Sequence, residues 1–117
     1  EMIELSHRYG LPSYLGVTKR HRPDQFLLTH AVDGFSLAMD FKVTDKKRAE
    51  LHRMLQEFDQ IVLKGGGRFY FAKNSETSAE ATRQFLGEAV MSKFKKLKKR
   101  CDPNSLLESD LYRRIFL

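Results

Sequence analysis

The residues best suited to chemistry gather near position 70, where Tyr70, Lys73, Asn74 and Ser75 set a phenol, a cation, an amide and a hydroxyl close together. A lysine leaving the end of an aromatic segment can place its charge beside a polar substrate or a flavin ring acquiring negative charge. A lysine in that position is more commonly just solvated, so spacing alone leaves both readings open. The histidines, His7, His21, His30 and His52, have no metal-ligand spacing and read as solvated or singly hydrogen-bonded side chains. Only His30, beside an aromatic stretch, is retained as a candidate. Cys101 is the sole cysteine, which excludes an internal disulfide framework and a multi-cysteine metal site and suits a reducing compartment.

Other features are less informative. The chain contains no Walker loop, no G-x-G-x-x-G, no H-E-x-x-H and no nucleophile elbow. Gly65-Gly66-Gly67 invites comparison with a phosphate loop, but such loops run from strand to helix so that the helix N-terminus meets the anion. Here the glycines follow a helix, and a C-terminal cap is the simpler reading. The run Lys93-Phe94-Lys95-Lys96-Leu97-Lys98-Lys99-Arg100 offers an alternative function, a small basic module for nucleic acid or an anionic membrane surface. Phe94 and Leu97 keep a helical core register within it, and cations are favoured near any helix C-terminus, so a solvated face accounts for the run. Nucleic acid is not the expected partner.

The elements that must position these groups follow from periodicity. Residues 2–9 read as a helix closed by Gly10 and Pro12. Residues 13–20 alternate as a strand ended by the basic turn from His21 to Asp24, and residues 26–30 form a short extended piece. Between Gly34 and Val43, Phe35, Leu37, Met39 and Phe41 share one face while Ser36, Ala38 and Asp40 make a small, polar second face. Thr44 is the expected N-cap of a helix over residues 45–63, with Leu51, Met54, Leu55, Phe58 and Val62 at core spacing. Residues 68–72 (RFYFA) predict an aromatic-rich strand. Thr77 or Ser78 should cap a short helix reaching residue 85 or 86, residues 88–101 a second with Val90, Phe94, Leu97 and Cys101 on one face, and residues 109–116 a final turn or two. Strands followed by helices predict an α+β fold, a ferredoxin-like layer of antiparallel strands with helices packed on one face, present as an incomplete copy.

The bulk properties agree with a folded domain. A chain of 117 residues fits one domain, and 41% hydrophobic residues with nine Phe supply a core. No apolar run approaches the roughly 20 residues of a membrane helix. A net charge of +6 bears on partners, not on fold. The chain opens inside an element without a secretion signal, and the expectation is an excised piece of a cytoplasmic protein.

Three blocks carry a resemblance: residues 66–75 (GGRFYFAKNS), residues 34–41 (GFSLAMDF), and Asp102-Pro103 with the run from Ser109 to Arg114. In this order they resemble the C-terminal region of the decaprenylphosphoryl-ribose 2-oxidases, within the FAD-linked sugar and aldonolactone oxidases of the vanillyl-alcohol-oxidase type. The resemblance spans nearly the whole chain. It implies that residues 1–117 are the C-terminal part of a substrate (cap) domain, with FAD held mainly by an N-terminal domain absent from this chain. The implied reaction is oxidation of a sugar, polyol or sugar-lipid hydroxyl by hydride transfer to flavin, the fragment being inert alone. It also implies that Lys73 and Tyr70 are catalytic, that Lys73 contacts the cofactor, and that Ser36, Ala38, Tyr70 and Asn74 contact substrate. The ribose oxidases carry cysteine where this chain has Ala38 and asparagine where it has Ser36, so pocket and substrate are expected to differ.

Overall fold

The computed structural model describes residues 1–74 and 76–117; Ser75, a neighbour of the candidate lysine, lies outside the described residues. In chain order the elements are α1 (Met2–Arg8), β1 (Leu15–His21), β2 (Gly34–Asp40), α2 (Arg48–Lys64), α3 (Ala79–Leu86), α4 (Glu88–Cys101) and α5 (Asp110–Phe116). Short 3-10 turns occupy Asp45–Lys47 and Phe71–Lys73. The α+β class is as expected, and its sheet consists of two antiparallel strands in which His21 faces Gly34 and Leu15 faces Asp40.

Two apolar clusters hold the chain together. In the first, Leu5 and Leu11 meet Leu51, Met54 and Phe58 of α2, and Met39 and Phe41 pack on them from the end of β2. The i, i+3, i+7 spacing of Leu51, Met54 and Phe58 is what turns them to one side of α2. The second cluster joins Leu86, Met91, Ile115 and Phe116 across α3, α4 and α5, with Phe71, Phe85, Phe94 and Tyr112 as its aromatic rim. Serines begin two of these helices: Ser78 Oγ accepts from the Ala81 amide at 3.0 Å and Ser109 Oγ from the Tyr112 amide at 3.1 Å.

Four expectations need correction. Residues 68–72 do not form a strand: Tyr70 is extended, but among the described residues no strand lies beside it to complete a ladder, and the chain turns at once into Phe71–Lys73. Thr44 makes no side-chain cap, because a 3-10 turn precedes α2 and the helix proper starts at Arg48. On β2 the expected apolar face is covered only at its far end; Phe35 is 71% and Leu37 41% exposed, while Met39 and Phe41 reach the core. In α4 the register holds through Phe94 and then leaves the core, so Leu97 and Cys101 are exposed.

The triglycine is a helix end, as read. The amides of Gly65, Gly66 and Gly67 donate to the carbonyls of Ile61, Leu63 and Val62, which leaves none of the three for an anion. Gly66 has φ +69°, and a Cβ on Gly67 would lie 2.7 Å from Val62 Cγ1.

Candidate functional site

Antiparallel register decides which side chains share the polar face of the ribbon. Opposed residues project to the same side, so Ser36 and Ala38 of β2 stand with Lys19 and Val17 of β1, and His21, opposite Gly34, is the diagonal neighbour of Ser36. His21 Nε2 lies 2.7 Å from Ser36 Oγ. The His21 ring meets His30 edge-on with centroids 5.0 Å apart, and His30 in turn lies 4.6 Å from the Tyr70 ring, tilted 40°. Tyr70 and Ser36, paired by resemblance alone, are thus joined through two imidazoles.

Burial pushes the His30 imidazole below the ordinary histidine range, and the neighbouring His21 adds to this; Asp24 pulls weakly the other way. Both effects favour the neutral form of His30. Tyr70 is 51% exposed, so one side of its ring is open for a ligand.

Lys73 ends the 3-10 turn that begins after Tyr70, with its backbone amide on the Tyr70 carbonyl at 3.1 Å. Its side chain is exposed and makes no ion pair among the described residues. Asn74 Oδ1 accepts from the amides of Glu76 and Thr77 at 3.0 and 2.8 Å, which fixes the loop rather than leaving that oxygen for substrate. Arg114 of α5 holds the same loop from outside, donating through Nε to the Thr77 carbonyl at 3.2 Å and through Nη2 to the Asn74 carbonyl at 3.1 Å.

Sequence reasoning missed His21 and Arg114. His21 read as part of a closing turn, and only the pairing register reveals that its ring turns back to Ser36. A groove of about 760 Å³, lined by Tyr14, Phe41, Val43 and Lys47 among others, lies at the opposite end of the ribbon. None of the site residues lines it. On α4, Lys98 is committed to Asp102 and to the Tyr112 ring, whereas Lys93, Lys95, Lys96 and Arg100 are exposed. Among the described residues no cluster of three metal-ligating side chains occurs, and no helix is long and apolar enough to cross a membrane.

The arrangement brings together a small hydroxyl residue, two imidazoles and an aromatic ring, with the exposed Lys73 three residues beyond Tyr70. The triglycine amides are already bonded and offer no donors to a dinucleotide phosphate. Comparison with known proteins agrees with the family resemblance. The chain is 32% identical over 111 residues to the decaprenylphosphoryl-beta-D-ribose oxidase of Mycolicibacterium smegmatis, covering 94% of this chain and 23% of that protein. No protein-family model matches it. The chain therefore spans about a quarter of the length of the curated relative.

Proposed function

We propose that the chain is the C-terminal part of the substrate domain of an FAD-dependent oxidoreductase that oxidises a hydroxyl of a sugar, polyol or sugar-lipid. The similarity to a ribose oxidase over 94% of the chain carries this reading. In it, the remainder of a longer polypeptide binds FAD, and the flavin supplies two-electron acceptance when bound. This chain supplies the wall against which the substrate lies. Lys73 sets a positive charge beside the reacting centre, where it favours negative charge as it develops. Tyr70 and the small residues Ser36 and Ala38 shape the surface that the sugar ring meets. Asn74 acts by holding the loop that carries Lys73. Ala38 and Ser36, smaller than the cysteine and asparagine of the ribose oxidases, leave room for a different sugar.

The test is the visible spectrum of the longer protein, recorded before and after anaerobic addition of pentoses, hexoses and pentitols in turn. A flavin spectrum that one of them bleaches is the expected result. A colourless protein that cannot be reconstituted with FAD would overturn the reading. The isolated chain should show no tight FAD binding, and one-to-one binding in equilibrium dialysis would contradict the division of labour described here.

A further inference from the structure

Oxidising an alcohol by hydride transfer leaves a proton that some group must take, and neither Lys73, a cation, nor Ala38 can accept it. The polar face of the ribbon holds a chain of groups that can. Ser36 Oγ is within hydrogen-bond distance of His21 Nε2 at 2.7 Å, on the face that the proposed reading gives to substrate. Behind His21 stands His30, and behind His30 stands Tyr70, at ring separations of 5.0 and 4.6 Å.

We propose that His21 is the proton acceptor for the substrate hydroxyl, reached through Ser36, and that His30 is the positioning residue that holds its ring between the ribbon and Tyr70. This rests on the oxidoreductase reading. In the step, the substrate C–H bond breaks with its electron pair leaving as hydride to the flavin, the two-electron acceptor. The O–H bond breaks with its proton passing to Ser36 Oγ, the Ser36 proton passes to His21 Nε2, and a carbonyl remains. A histidine suits this work because its ordinary titration range lies near neutral pH.

The surroundings fit the role. On its own face of the ribbon His21 has Lys19 and Ser36 as polar neighbours, and across the connecting segment it meets His30, with Asp24 close enough to His30 to act on it electrostatically. Arg20 donates to Asp33 and the Gly34 carbonyl and lies over Phe35, so it belongs to the opposite face. A neutral His30 presents no charge to oppose a proton arriving on His21.

The experiment uses the longer flavoprotein and the sugar or polyol that bleaches it. Anaerobic stopped-flow reduction is followed from pH 5 to 9 for the wild type, His21→Gln, Ser36→Ala, His30→Phe and His30→Ala, with substrate affinity measured on each. His21→Gln should slow flavin reduction about 100-fold or more and abolish the acid limb of the rate, with substrate affinity within about threefold. Ser36→Ala should slow it about tenfold and alter the 15N-imidazole titration of His21. His30→Phe, which keeps a ring between His21 and Tyr70, should retain most of the rate that His30→Ala loses. Reduction of His21→Gln within about threefold of wild type, acid limb intact, would overturn the relay and leave the oxidoreductase reading standing. If His21→Gln loses its flavin spectrum, Ser36→Ala decides instead, and a wild-type rate there overturns the proposal. A colourless protein that cannot be reconstituted with FAD would overturn both readings together.

Discussion

Individual side chains make the sharpest tests. Lys73 is an exposed cation at the end of a turn, so replacing it should cost the fold little, within about 0.5 kcal/mol. In the longer flavoprotein, Lys73→Ala should nevertheless lower flavin reduction on the order of 100-fold, the usual scale for losing one electrostatic stabiliser. Rapid reduction of that variant would make Lys73 a solvated residue and nothing more. Asp59 of α2 offers a purely structural counterpart. Burial raises its carboxyl to about 6, against the Ser78 amide, which favours the charged form. Because the folded state then binds the proton more tightly than the unfolded chain, stability should fall as pH rises from about 4 to about 6 and level off above. Asp59→Asn keeps an acceptor for Ser78 and should stabilise the chain at pH 7 by on the order of 1 kcal/mol, the part-exposed carboxylate being screened by solvent, with no gain near pH 3. Urea melts at both values check the sign.

At the level of elements, the link between α4 and α5 depends on one carboxylate. Asp102 is buried, accepts from Lys98, and takes the amides of Leu106 and Leu107 at 2.9 Å each. The Lys98 hydrogen bond, then those two amides, hold its carboxyl down at about 2. Its contribution should be fully present above about pH 4 and lost as pH falls toward 2. Thermal melts should show that Asp102→Asn lowers the melting temperature at pH 7 and removes this part of the acid sensitivity. The helices of this region were legible because capping serines and 3.6-residue spacing are local signals, and α4 matches its expected bounds at Glu88 and Cys101. A strand is not a local object. Residues 68–72 have strand composition, yet without a neighbouring strand the ladder is missing, and the Tyr70 side chain turns instead to His30. The site was half legible for the same reason: Tyr70 and Lys73 are near in sequence, whereas the His21–Ser36 contact depends on a register that periodicity cannot supply.

The whole molecule exposes more than a compact protein of its mass. A monomer of 13.6 kDa is expected to show about 6,600 Å², and this chain shows 8488 Å². Its radius of gyration, 15.6 Å, likewise exceeds the roughly 13 Å of a compact chain of this length. The excess has an address. Both strands of the ribbon have an unpaired edge, and Leu15, Phe35 and Leu37 are exposed beside it. In the proposed flavoprotein these surfaces meet the preceding polypeptide, which would extend the sheet and cover its apolar face. Hydrogen exchange read by mass spectrometry should therefore find residues 15–21 and 34–40 exchanging rapidly in the isolated chain and protected in the longer protein, with α2 protected in both. Phe35→Ser should change the isolated chain by less than about 0.5 kcal/mol, since the exposed ring meets only the Arg20 side chain there, and destabilise the longer protein measurably, where it would also lose apolar packing partners. Equal exchange of the ribbon in both proteins would mean that this face stays in water, and the added polypeptide would have to dock elsewhere.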